Sequence, residues 1–229
     1  MNIYLTLPAS ALLLAMTAAA NSTFADDAPD SHAQQPGMMM QTEPAPPAHQ
    51  HMMMMAKDNH KIVTSTVDYG VPQLQLVRDD GKVVSLPDEL NDGRPVIMNF
   101  IFTTCKEICP LTSHTFEQLQ DKLGSDRDKI HMVSITIDPE QDTPERLAAY
   151  GRKYNAGPQW RYYTGTVEAS IAAQRAFDVY RGDKMNHFPV TLLRAAPGKS
   201  WLRVEGFASA DELLRDYREL TSPKVSSAQ

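Results

Sequence analysis

From about residue 61 the chain alternates continuous apolar runs with amphipathic segments, and the two periods give a consistent order of elements. Residues 73–77 and 82–86 are short strand-like runs joined by Arg78-Asp79-Asp80-Gly81. Asp-Gly is a strong reversal signal, so a hairpin is predicted. Residues 95–102 are apolar at nearly every position, as a strand covered on both faces requires. Pro110 suits the first turn of a following helix, where a missing N–H costs nothing. Leu111, Phe116, Leu119 and Leu123 recur along one side of that helix, and Gly124 suits its end. Residues 130–137 form a second apolar strand, stopped by Asp138-Pro139. Asp142-Thr143-Pro144-Glu145 reads as a cap with proline at the first helical position, opening a helix to about Tyr154. A short strand at 160–163 and a helix from the cap Thr166 to about Phe177 follow. Strands at 188–193 and 201–204 are joined by a turn at Pro197-Gly198. Ser209 and Glu212 form a capping box, and Leu213, Leu214, Tyr217 and Leu220 give the last helix its core face.

Hairpin, two strand–helix units, helix, hairpin and helix make an α/β domain: a central mixed sheet flanked by helices. A cysteine lies just past the C-terminal end of a central strand, where such sheets place their chemistry. That order suggests a thioredoxin-like fold with an extra N-terminal hairpin. No internal repeat is present.

The 229 residues divide unevenly. Residues 3–20 are apolar and Ala-rich, and Thr23-Phe24-Ala25 fits a small-residue cleavage site. Residues 1–25 therefore read as a secretory signal, although no Lys or Arg precedes the apolar run. An uncleaved anchor in the inner membrane is the alternative, but the run is short for a span of about 20 residues. Residues 26–60 are rich in Pro, Ala, Gln, Met and His and contain no aromatic residue, the composition of a disordered tail. Residues 61–222 suffice for one domain with its own core, and residues 223–229 read as a disordered end. The net charge is −6, with no basic stripe. Nucleic acid is excluded as a partner on that ground, and the expected location is the periplasm.

The chain has only two cysteines, Cys105 and Cys109, in Thr-Thr-Cys-Lys-Glu-Ile-Cys-Pro. Positions four apart across one helical turn face the same way, so both sulfurs can address one ion or form a disulfide. Backbone N–H groups at a helix start favour thiolate; Lys106 should help and Glu107 oppose. Soft sulfur donors select Cu(I). His187 is the candidate third ligand, in a loop just before a strand that could reach the same end of the sheet. From periodicity alone, a lone histidine before a strand is more often an ordinary loop residue. A purely structural disulfide would close a loop of only a few residues and add little stability, and two Cys with one His leave a structural zinc site one ligand short.

These residues resemble the Sco (SenC) proteins, copper metallochaperones of cytochrome oxidase assembly. The resemblance covers residues 70–220. Four features carry it: the strand entering Thr104-Cys105-Lys-Glu-Ile-Cys109-Pro110; Thr136-Ile-Asp138-Pro139-Glu-Gln-Asp142-Thr143-Pro144-Glu145; Trp160-Arg-Tyr-Tyr-Thr164-Gly165 followed by a helix; and His187 before a strand. The resemblance implies one copper, as Cu(I) or Cu(II), held by Cys105, Cys109 and His187. It also implies delivery to the binuclear copper centre of a respiratory oxidase subunit or another envelope copper protein, or reduction of that centre's cysteines. A periplasmic thiol reductase or another copper chaperone is then a further partner. Asp138 and Asp142 are expected to support the site from a neighbouring loop, without ligand roles. The chain departs from the family in having Lys106 where proline is usual, and Asn186-His187-Phe188 where Asp-His-Ser is usual.

Seven of the twelve methionines fall in Met38, Met39, Met40 and Met52, Met53, Met54, Met55, beside His49 and His51. Such a set is expected to gather copper, with His32 and His60 as weaker candidates. A peroxidase of the peroxiredoxin kind is disfavoured, because no Pro-x-x-x-Thr-x-x-Cys pattern surrounds either cysteine. A sensor without a delivery step is the remaining alternative.

Overall fold

The structure is a computed structural model and describes residues 62–222. The signal segment, the Met/His tail and residues 223–229 lie outside the described residues. Eight strands form one mixed sheet: β1 Val63–Val67, β2 Gln75–Arg78, β3 Val83–Ser85, β4 Val96–Ile101, β5 His131–Thr136, β6 Trp160–Thr164, β7 Val190–Arg194 and β8 Trp201–Glu205. Their spatial order is β1-β8-β7-β4-β5-β6-β2-β3. The helices are α1 Leu86–Leu90, α2 Ile108–Leu123, α3 Pro144–Lys153, α4 Val167–Ala176 and α5 Ala210–Thr221.

The centre is parallel: β4 pairs with β5, and β5 with β6, through crossovers that carry α2 and α3. Every residue of β4 and β5 is buried, which is why those runs read as continuously apolar. Alternate residues of β4 feed two cores. Ile97 and Ile101 pack with Phe116 and Leu119 of α2, Leu147 of α3 and Leu213 of α5. Val96, Met98 and Phe100 pack with Leu86 and Leu90 of α1, Ala173 of α4 and Trp201. The thioredoxin-like arrangement of a mixed sheet with helices on both faces is thus built from period-two burial along its central strands.

Some boundaries differ from the sequence expectation. β1 was not predicted: its Val-Thr-Ser-Thr-Val side chains are mostly exposed, so no apolar pattern marks it, and it is held by its ladder to β8. The run expected as strand 82–86 stops at Ser85, whose hydroxyl accepts from the Asp88 N–H and caps α1. Leu111 is only partly buried, and Cys109, Ser113 and Gln120 take core positions on α2 instead. The strand expected from 188 begins at Val190, because Pro189 has no N–H to give the ladder. The hairpin at 75–85 lies beside β6 at the edge opposite β1.

Candidate metal centre

β4 ends at Ile101 and delivers the chain to Cys105 at the C-terminal edge of the parallel strands. α2 starts at Ile108 with no side-chain cap from Glu107. The sulfur of Cys105 fills that role, accepting from the Cys109 N–H at 3.4 Å. It satisfies a backbone donor that would otherwise lack a partner at the helix start. Cys109 is fully buried, and its own sulfur accepts from the Phe102 N–H at 3.4 Å. Cys105 is half-buried, and neither cysteine is in a disulfide.

The two thiols are therefore inequivalent. Donation from the Cys109 S–H, followed by the N–H groups of Cys109, Glu107 and Ile108, holds Cys105 well below an ordinary thiol, at about 5 despite its partial burial. The same hydrogen bond, with burial and the neighbouring thiolate, pushes Cys109 far up. At neutral pH the pair is a thiolate on Cys105 and a thiol on Cys109. The hydrogen bonds, rather than the opposed charges of Lys106 and Glu107, lead this effect.

His187 reaches the same edge through the sheet register. β7 runs antiparallel to β4, with Thr191 opposite Asn99. The residues before β7 must then lie beside those after β4. His187 follows a 3-10 turn, Lys184–Asn186, and is 6% exposed. Its Nε2–H donates to the Phe100 carbonyl at 3.0 Å. A carbonyl can only accept, so Nε2 carries the proton and Nδ1 the lone pair. Burial, followed by the opposing effect of that hydrogen bond and then the Arg181 charge, leaves the imidazole below its usual pKa and hence neutral. The ring is oriented by a main-chain carbonyl, while Asn186, which stands where the family usually has Asp, is exposed.

Cys105 and His187 line one cleft of about 340 Å³, together with Phe102, Lys106, Lys184 and Met185. Cys109 lies behind Cys105 in the core rather than on the cleft wall. Among the described residues, no three His, Cys, Asp or Glu side chains stand in metal-holding geometry as they are. The structure thus brings Cys105 to Cys109 by a hydrogen bond and to His187 across a cleft, and leaves the three ungathered.

The loop after β5 steadies both sides of the cleft. Asp142, fully buried, accepts from the Thr103 N–H at 3.0 Å, from the Thr103 hydroxyl, and from the Thr136 hydroxyl at 2.5 Å. It thereby ties the approach to Cys105 to the end of β5. Asp138, four residues earlier, pairs with Lys184 Nζ at 2.7 Å and so ties the turn before His187 to the same loop. The sequence marked both aspartates as supports. It did not single out Thr103, Lys184 or Met185, because nothing local to them signals the contact.

The Met and His residues of the tail, Met38–Met40, His49, His51 and Met52–Met55, lie outside the described residues. Among the described residues the other buried histidine is satisfied structurally: His131 bonds the Glu89 carbonyl at 2.9 Å and the Tyr163 hydroxyl at 3.1 Å.

A thioredoxin-like domain that presents a thiolate–thiol pair at a strand–helix junction, with a neutral imidazole across a cleft, has the donor chemistry for a soft metal or for thiol exchange. The SCO1/SenC family model matches residues 64–222, and the chain belongs to that family. An SCO1 homologue of Bacillus subtilis is 31% identical over 110 residues, covering 48% of this chain and 56% of that protein. The chain spans about half the length of the curated relatives it matches. The solved structure of BsSco, a Sco-family cytochrome c oxidase assembly protein described as having a disulfide switch, is 26% identical with a TM-score of 0.58, covering 71% of this chain and 99% of that one. The copper-bound structure of Arabidopsis thaliana ScoI shares the fold at 24% identity and a TM-score of 0.54, over 66% of this chain and 97% of that one.

Proposed function

We propose that this protein binds one copper ion through Cys105, Cys109 and His187 and delivers it to the binuclear copper centre of a respiratory oxidase subunit or another envelope copper protein. The observation that carries this reading is the shared cleft of Cys105 and His187, with Cys109 bonded directly behind the first sulfur. Two thiolates and one imidazole suit Cu(I), and an imidazole nitrogen and sulfurs also suit Cu(II). For binding, Cys109 gives up its proton, and His187 offers the lone pair of Nδ1 while its Nε2–H stays on the Phe100 carbonyl. Family membership supports the copper assignment: relatives of this fold have been solved with copper bound.

The reading includes export to the periplasm, on the strength of the N-terminal sequence. It also gives the Met/His-rich tail the task of gathering copper. Thioethers hold Cu(I) without being lost to disulfides. Removing residues 30–57 should therefore slow copper uptake and lower copper stoichiometry; unchanged values would remove the tail from the account.

A second reading rests on the inequivalent thiols: an exposed-side thiolate beside a buried resolving thiol is the arrangement of a dithiol reductant. Cys105 would attack a partner disulfide and Cys109 would then release the partner as a dithiol, leaving the Cys105–Cys109 disulfide. His187 separates the two readings. In a deletion strain at low copper, the wild-type gene should restore oxidase activity and His187→Ala should not, while the same variant keeps disulfide exchange in vitro. Full rescue by His187→Ala would favour the reductant.

A further inference from the structure

Met185 is 74% exposed, the most exposed large apolar side chain among the described residues. Its backbone is nevertheless held. Its N–H donates to the Asp183 carboxylate at 2.8 Å, Lys184 beside it is tied to Asp138 at 2.7 Å, and the His187 N–H donates to the Lys184 carbonyl at 3.1 Å. The turn therefore carries an unpacked thioether on a held backbone, two residues before His187. That side chain lines the same cleft as Cys105 and His187. Exposure falls from Met185, through the half-buried Cys105, to the buried His187 on the cleft wall, with the buried Cys109 behind Cys105.

We propose that Met185 is a transfer ligand: it takes Cu(I) at the mouth of the cleft together with the Cys105 sulfur and passes it inward to Cys109 and His187. The proposal rests on the copper-binding reading above. A thioether is soft enough to compete for Cu(I), neutral, and free of any proton to lose, so it exchanges readily. In the inward step the Cys105–copper bond is kept. The Met185–copper bond breaks as the Cys109–copper bond forms, the Cys109 thiol proton leaves to solvent, and His187 completes the set. Copper remains Cu(I) throughout, so no electron acceptor or donor is needed. The same path in reverse offers the ion to a recipient without exposing the buried cysteine.

The test mixes the reduced full-length protein with Cu(I) presented as its bicinchoninate complex and follows uptake by stopped flow. Met185→Leu preserves size and apolarity and removes only the sulfur. It should slow uptake by about tenfold while leaving final stoichiometry unchanged and affinity within about threefold. In protein labelled at the methionine methyl groups, the resonance missing from Met185→Leu should move at substoichiometric Cu(I). An unchanged uptake rate, or a Met185 methyl that does not respond to Cu(I), would overturn the proposal. Wild-type uptake that survives Cys105→Ser would instead overturn the copper-binding reading beneath it.

Discussion

At the scale of single residues the decisive fact is the division of labour between two cysteines four positions apart. Cys105 caps α2 with its sulfur and collects hydrogen bonds, while Cys109 is buried and keeps its proton. Iodoacetamide should therefore label Cys105 of the reduced protein with a pH midpoint of about 5 and leave Cys109 largely unmodified until the fold opens. A midpoint near that of a free thiol would show that the hydrogen-bonded pair does not persist in solution. The cysteines were the most legible part of the site, because the spacing and the strand before them are local signals. Their inequivalence was not legible. It depends on the absence of a side-chain cap at Glu107 and on the burial of the first turn of α2, both of which are set by packing.

At the scale of elements, the site is an assembly of three loops at one edge of the sheet. Its stiffness comes from the loop that carries Asp138 and Asp142. Asp142 accepts three hydrogen bonds in a fully buried position. Asp142→Asn turns part of that acceptor into a donor facing donors. It should cost about 2 kcal/mol, or roughly 5 °C in melting temperature, and loosen the Thr103–Cys105 approach. Differential scanning calorimetry checks the first effect, and faster amide exchange at Thr103 checks the second. Most elements were readable in advance: β4 and β5 from unbroken apolar runs, α3 and α5 from Thr143 and Ser209 caps that the structure contains. β1 escaped notice because an edge strand with exposed side chains has a backbone partner but no hydrophobic face. His187 was legible as a candidate only. Its proximity to the cysteines follows from the antiparallel β4–β7 pairing, a contact between positions nearly ninety residues apart.

At the scale of the whole molecule, the site couples stability to pH. His187 and His131 are both held below their ordinary pKa, chiefly by burial. As pH falls below about 6.5 the unfolded chain gains protons on these rings that the native state refuses, so stability falls. Cys105 acts with the same sign over a higher window. Its native thiolate persists to about 5, while the unfolded thiol is already protonated below its ordinary pKa near 9.0. Stability therefore declines from pH 9 toward 5. Cys109, pushed up rather than down, favours the native state below the ordinary thiol pKa and loses that advantage only at strongly alkaline pH. The urea midpoint of the reduced protein should fall steadily from pH 8 to pH 5. Cys105→Ser should flatten the part between pH 8 and 6.5 and leave the histidine-driven part below it. An unaltered upper slope in that variant would contradict the assigned thiolate.

Copper binding at this site requires that a buried thiol, a capping thiolate and an imidazole from a distant loop close on one ion. Competitive Cu(I) titration of the reduced full-length protein, with X-ray absorption of the loaded form, measures this directly. The predicted result is one tightly held Cu(I) with two sulfurs and one imidazole nitrogen around it, lost in Cys105→Ser and Cys109→Ser and weakened by about a hundredfold or more in His187→Ala. Tight binding that is unaffected by His187→Ala, or a copper surrounded by thioethers alone, would contradict it.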